Sequence, residues 1–326
     1  MPFARRQAAR IGAAAALSAL PRAARAQSGF PARPPRWMVG YPPGGASDVF
    51  ARLIAAQMVP RLGQNVVVEN RPGGGAVLAS ETVARSAPDG YTWLHTDNGI
   101  LAYNPALYAR LPYDPDRDLT GVGFIGRFPL FIVVRRADGP EDFAAFLAAA
   151  RQRPPTYGSP AVASPHHLAM ELVRRRTGLE AVHVPYRGGP AAMADLMGGA
   201  LDCAVIDIAS GLPFIRDGRV RALAVLSATR SRHTPDVPTM RELGHGDTVA
   251  YGWMGNSVPA ATPPAIIGQL SQAMMEAILS PEGAARYDQL GAEYEPRSPE
   301  EFNAFVAAEA ALWRPLIREL GIRLDS

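Results

Sequence analysis

Short runs of β-branched and aromatic residues alternate along this chain with segments of helical period, and that alternation constrains the fold more than any other feature. Trp37–Tyr41, Val66–Val68 and Tyr91–Leu94 read as strands. A helix from about Ser47 separates the first two, placing Phe50, Ile54, Met58 and Leu62 at four-residue steps, with Val49 and Leu53 widening the stripe and Pro60 near its end. Strands joined through helices run parallel, so the expected class is α/β with a largely parallel sheet. A second block repeats the pattern through Leu130–Val134, Val182–Val184, Cys203–Ile206 and Ala222–Leu226. The tail returns to helix at 263–279, 281–290 and 299–320, and these helices are expected to complete the first unit. The expected organisation is one lobe at 30–130 plus 245–326 and another at 131–244, with crossings near Arg135-Arg136 and within 228–242.

A chain of 326 residues that is 48% hydrophobic and 19% charged has the composition of a globular protein of about two domains. All 33 basic residues are arginine, which removes Schiff-base lysine chemistry and the Gly-Lys-Ser/Thr phosphate loop. The single cysteine, Cys203, excludes an intrachain disulfide and any CxxC redox or zinc pair. Net charge is +3, yet five arginines and no acids fall within the first 26 residues, so the remainder is slightly acidic and nucleic-acid binding is not expected. Residues 1–26 read as a signal peptide: a basic start, an alanine-rich apolar run from Ile11 to Leu20, and Ala24-Arg25-Ala26 in the form of a cleavage site. Arg5-Arg6 leaves the Sec and twin-arginine routes both open. No later stretch approaches eighteen uninterrupted apolar residues, so the expected mature protein is soluble.

Two segments could hold a ligand. Gly40-Tyr41-Pro42-Pro43-Gly44-Gly45-Ala46-Ser47-Asp48 runs from a strand end into a helix start, the edge at which open α/β sheets bind ligands. Free N–H groups and the positive helix end suit an anion there. An equal alternative is a plain turn with Ser47 as N-cap and Asp48 as a first-turn acid. The second segment, Tyr157 to Pro165, opens another helix with Ser164 as N-cap and Pro165 in its first turn, and that helix stops at Gly178. Two such helix starts facing each other could grip the ends of a small dianion. Asp207 ends a buried run and either bonds a ligand or caps the segment after it. Signals for catalysis or cofactors are sparse. His166 and His167 point apart on a helix and cannot share a metal, and no HExxH, CxxC or GxSxG motif occurs. Gly73-Gly74-Gly75 lacks the spacing of a dinucleotide loop and reads as a turn beside the cleft. No cofactor and no metal are expected. The alternative to a binding protein is an exported hydrolase using Ser159 or Ser164 with His167.

The chain resembles the Bug-type periplasmic receptors of tripartite tricarboxylate transporters. The resemblance rests on Tyr41 to Asp48, Glu69-Asn70-Arg71-Pro72-Gly73, Ala87-Pro88-Asp89-Gly90-Tyr91-Thr92, Asn104-Pro105-Ala106-Leu107-Tyr108, Leu111-Pro112-Tyr113-Asp114, His183-Val184-Pro185-Tyr186, Asp236-Val237-Pro238-Thr239 and Ser298-Pro299-Glu300-Glu301-Phe302, in shared order and spacing. It implies a two-lobed type II periplasmic-binding-protein fold that closes by a hinge on a small organic carboxylate and delivers it to membrane permease subunits, acting as a monomer without catalysis. Carried over by position, it implies ligand contacts from Tyr41, Pro43, Gly44, Gly45, Ala46, Ser47 and Asp48 in one lobe. In the other it implies Ser159, Ala163, Ser164, His167 and Asp207. Three departures stand out: Ala161 and Ala163 replace glycines, so a positive φ is expected to be lost there; Val77 removes a polar contact; and the stretch from Asp207 to Pro213 is shorter, with Ile208 in a polar place.

Overall fold

The computed structural model describes residues 29–246 and 248–324, and the leader at 1–26 lies outside the described residues. In the first half, β1 (Arg36–Val39) leads into α1 (Ala46–Leu62), then β2 (Val67–Asn70), a 3₁₀ turn at Gly74–Ala76, α2 (Val77–Ala84) and β3 (Thr92–Asp97). A π-helical stretch, Asn98–Tyr103, and two single turns, α3 (Asn104–Leu107) and α4 (Pro115–Asp118), come next. The long strand β4 (Leu119–Arg135) carries the chain into the second half. That half contains α5 (Phe143–Ala150), β5 (Thr156–Ser159), α6 (Pro165–Thr177), β6 (Val182–Pro185), α7 (Gly189–Gly198), β7 (Cys203–Asp207), α8 (Ile208–Arg216) and β8 (Val220–Val225). The chain returns as β9 (Tyr251–Pro259) and finishes with α9 (Pro264–Leu279), α10 (Pro281–Gln289) and α11 (Pro299–Glu319).

The strands order as β2-β1-β3-β9-β4-β7-β5-β6, with β8 also on β4. Pairing is parallel where helices connect neighbours, β1 with β2 and β3 and β5 with β6 and β7. It is antiparallel wherever β4 or β9 takes part, because those strands carry the chain between the halves in opposite directions. The result is a two-lobed α/β fold on a mixed sheet. Leu119 to Pro129 pair with β9, whereas Leu130 onward pairs with β7 and β8. The exchange of partners therefore falls at Pro129/Leu130, inside a strand, and Arg135, placed near a crossing by sequence, is paired with Val220 within the second half.

The first part of β4 and all of β9 have no counterpart among the strands read from sequence, because Gly121, Gly123, Gly126, Gly252 and Gly255 lower their β propensity. Packing explains three of those glycines. A Cβ on Gly255 would lie 2.2 Å from the Phe302 ring, one on Gly121 2.5 Å from it, and one on Gly123 2.6 Å from Met274. The C-terminal helices thus press directly on backbone. Elsewhere the period of two sorts side chains between two cores: Leu130, Ile132 and Val134 join one with Leu168 and Met170, and Phe131 and Val133 join the other with Met193 and Leu196. Phe50, Ile54, Met58 and Leu62 bury the predicted stripe of α1, in one cluster with Trp37, Trp93, Ile266 and Leu270.

One buried side chain stands out in the first lobe. His95 on β3 is wholly buried, faces Asn256 across the ladder and stacks on Trp37 with ring centroids 6.3 Å apart. Neither ring nitrogen has a hydrogen-bond partner, and burial pushes its pKa down to about 3. The unfolded chain accepts this proton below about pH 6.5 while the native state refuses it. This contribution to stability is complete above that pH and is lost as pH falls from 6.5 toward 3, at up to ~1.4 kcal/mol per unit. Urea unfolding between pH 7 and 4 is expected to show this slope, and His95→Gln to remove about one proton's worth of it.

Candidate ligand site

The first loop is shaped by close backbone approach. A Cβ on Gly40 would lie 2.2 Å from the Cβ of Ala76, so only glycine lets β1 end against the Gly74–Ala76 turn. That turn holds Gly74, Gly75 and Ala76 in the left-handed region, at φ 51°, 61° and 67°. Asn104 Nδ2 donates to Gly75 O at 3.1 Å, and a Cβ on Gly75 would meet Tyr108 Oη at 2.7 Å. Gly73-Gly74-Gly75 is therefore a turn packed beside the first loop.

Helix α1 begins at Ala46, and Gly45, not Ser47, is its N-cap, with no side-chain cap bond. Pro42, Pro43, Gly44, Gly45 and Ala46 are exposed, while Ser47 and Asp48 are buried. Asp48 is spent inside the loop: Oδ2 accepts the Gly44 N–H at 2.9 Å and Oδ1 pairs with Arg52 Nε at 2.9 Å. Burial alone would raise its pKa, but the hydrogen bonds from Arg52 and Gly44 outweigh it and hold the carboxyl low. Arg52 also donates to Asn70 Oδ1, and Asn70 Nδ2 donates to Tyr41 O at 3.1 Å, tying β2 to the loop. What remains open is the helix start itself, whose first N–H groups at Ala46, Ser47 and Asp48 have no carbonyl a turn earlier to bond. Tyr41 turns inward, its hydroxyl bonded to the Asp97 carboxylate, and burial followed by the Asp97 charge pushes the phenol well up. Asp97 also accepts the Ile100 N–H at 3.0 Å and caps the π-helical stretch; burial raises its pKa.

In the second lobe Ser164 is the N-cap of α6, its Oγ accepting the His167 N–H at 3.3 Å and donating to Ala161 O at 2.8 Å. Ala163 retains a left-handed φ of 57°, contrary to the expectation that alanine would lose it. His167 supplies the reason: its Nδ1 accepts the Ala163 N–H at 2.9 Å, offsetting the left-handed cost of about 1–2 kcal/mol. The buried His167 ring stacks on His183 with centroids 3.8 Å apart, and the Tyr157 ring lies against both, 4.9 Å from His183 and 6.3 Å from His167. Burial first, then the neighbouring His183, pushes the pKa of His167 down to about 4. Below the stack, Glu171 accepts from Tyr157 Oη at 2.7 Å and from Arg174 at 2.7 and 2.8 Å, so Arg174 belongs to the packed structure and not to a solvated face. Ser159 is buried with Oγ 3.0 Å from Ala161 O and 2.7 Å from His183 Nε2. Neither Ser159 nor Ser164 pairs with the His167 ring, so the arrangement required by a serine hydrolase built on that histidine does not form.

Asp207 ends β7 and caps α8, accepting from Ser210 N at 2.9 Å and Ser210 Oγ at 3.0 Å, with His166 Nε2 at 3.3 Å. Burial raises its pKa, but His166 and Ser210 prevail and hold it below the usual carboxylate range. His166, Ser210, His183 and Asp97 were not singled out by sequence for these partnerships; those of His166 with Asp207 and of His183 with Ser159 join positions far apart in the chain, whereas Ser210 with Asp207 and Asp97 with Ile100 are three residues apart at strand ends. Among the described residues no group of three or more His, Cys, Asp and Glu side chains could hold a metal.

The pattern described as "Tripartite tricarboxylate transporter family receptor" matches residues 50–322. The protein BugT of Bordetella pertussis is 37% identical over 90% of this chain and 91% of its own. Among solved structures, R. palustris Rpa4515 with adipate superposes at TM-score 0.80 with 32% identity, covering 90% of this chain and all of that one. MatC from Rhodopseudomonas palustris with bound malate gives 0.76 and 30% over 88% of this chain and 100% of that one. The periplasmic binding protein BugD gives 0.76 and 29% over 90% and 100%.

Replacing Ala163 by Val is expected to lower stability by about 1–2 kcal/mol, because a β-branched residue resists the left-handed region. Ala163→Gly is expected to stay near wild type, and thermal melting of the two variants checks the pair.

Proposed function

Because the chain belongs to the tripartite tricarboxylate transporter receptor family and is thereby a solute-binding receptor and not an enzyme, we propose that it captures a small organic carboxylate between its lobes and delivers it to the permease of such a transporter. The observation that carries this reading is the pair of helix starts, uncapped by any side chain at Ala46 of α1 and capped by Ser164 at Pro165 of α6, one in each lobe and each preceded by a loop that is braced from within. Backbone N–H groups and the helix dipoles favour carboxylate oxygens without an arginine clamp. Adipate and malate in the two similar structures fit that chemistry. The lobes are those separated at Pro129/Leu130 and by the return through 226–250, and β4 and β9 are the strands about which a hinge closes; ligand shifts the population toward the closed form. The leader at 1–26 directs export to the periplasm, where the receptor acts as a monomer.

Calorimetry on protein stripped of bound solute, titrated with mono- and dicarboxylates beginning with malate and adipate, is expected to give a micromolar Kd, about −8 kcal/mol. No binding across the panel would overturn the reading. Gly45 has φ −74° with the nearest atom, Pro42 O, 3.5 Å from a built Cβ, so Gly45→Val is expected to fold normally. Its bulk at the helix start should lower affinity at least about tenfold, ~1.4 kcal/mol; unchanged affinity would count against this loop.

A further inference from the structure

We infer that the solute is an unsubstituted dicarboxylate, with no hydroxyl or amino group between its two carboxylates, because the facing edges of the lobes present hydrogen-bond donors and apolar surface while their acceptors are already engaged. The inference rests on the receptor reading above and names its substrate class. The register of β4 sets the two edges opposite each other. In the first lobe Asp97, the last residue of β3, pairs with Met254, which pairs with Gly126 of β4. In the second lobe Asp207, the last residue of β7, pairs with Leu130 of β4. Gly126 and Leu130 are four residues apart on one strand, so the two strand ends are separated by roughly 13 Å at about 3.3 Å per residue. β1 runs beside and parallel to β3, and β5 beside and parallel to β7. The loops that follow β1 and β5 therefore open onto the same gap.

The acceptors along that gap are spent on the protein's own donors. At the first loop Val39 O takes the Arg71 N–H, Tyr41 O takes Asn70 Nδ2 and Pro42 O takes the Gly45 N–H. At the second, Ser159 O takes the Tyr186 N–H and Pro160 O the Gly188 N–H, while Ala161 O receives the Ser164 N–H and the hydroxyls of Ser159 and Ser164. The carboxylates of Asp48, Asp97 and Asp207 each accept at least two hydrogen bonds from within the protein. The exposed Arg187, between β6 and α7, carries donors only. What the loops leave exposed is otherwise apolar: Pro42, Pro43 and Ala46 in one lobe, Ala161 and Val162 in the other, with Val162 41% exposed at the loop tip. Carboxylates are acceptors and match the free N–H groups of the helix starts, and a methylene body matches Val162 and the prolines. A hydroxyl or ammonium group brings donors into the closing cleft and finds their partners taken, which weakens binding by the cost of an unpaired polar group.

The experiment is calorimetry on solute-stripped protein near neutral pH with two matched pairs as probes, succinate against malate and glutarate against glutamate. Within a pair the chain length is constant and a single donor-bearing group is added. The unsubstituted member is expected to bind about ten- to a hundredfold tighter in each pair. Val162→Asn places an acceptor at the exposed loop tip and is expected to narrow both gaps at least about threefold, whereas Val162→Leu keeps them. Malate or glutamate binding as tightly as its partner, or gaps that Val162→Asn leaves unchanged, would overturn the inference and leave the receptor reading standing. Binding by none of the four, nor by any acid on the wider panel, would overturn both.

Discussion

A single strand that is buried along nearly its whole length and hydrogen-bonded in turn to three others is the constraint on which the rest of this structure depends. β4 spends Leu119 to Pro129 against β9 and Leu130 to Arg135 between β7 and β8. Because its pleat alternates, its second part feeds two separate cores, and the sheet on either side has to be covered by helices on both faces. Helices returning from strand ends then start at one edge of each half, and their N-termini supply unpaired donors there. The candidate site is in this sense a by-product of covering the sheet, refined by loops.

That refinement consists mainly of internal bracing. Asp48, Arg52 and Asn70 fix the first loop, and Ser164, His167 and His183 fix the second, so the polar side chains are largely consumed in holding backbone N–H groups in place. Preorganised amides lose little entropy when an anion arrives, which is how modest contacts add to useful affinity.

The strands bounded by hydrophobic runs, the stripe of α1 and both helix starts were legible because they depend on local periodicity and capping. Ser164 with Pro165 announced the start of α6, whereas Ser47 lost the corresponding place to Gly45, since the proline-glycine turn delivers the chain to the helix two residues earlier than side-chain capping chemistry suggests. β9 was illegible because glycines weaken its strand signal, and at Gly255 the residue is dictated by the ring of Phe302, far along the chain. The same distance in sequence hides the pairing of His166 with Asp207 and of Ser159 with His183. Ala163 shows the reverse case: residue type argued for a relaxed backbone, and a histidine four positions on imposes the strained one.

The stacked imidazoles of His167 and His183 make the second loop a device with an acid limit. His167 serves as acceptor through Nδ1, and its pKa is depressed to about 4. Once protonated it repels the Ala163 N–H it had retained, and a second positive charge on His183 at 3.8 Å centroid spacing is disfavoured in turn. Strong acid thus unlatches the backbone arc at Ala163, so that in the proposed receptor grip on a solute and order of the loop are lost together.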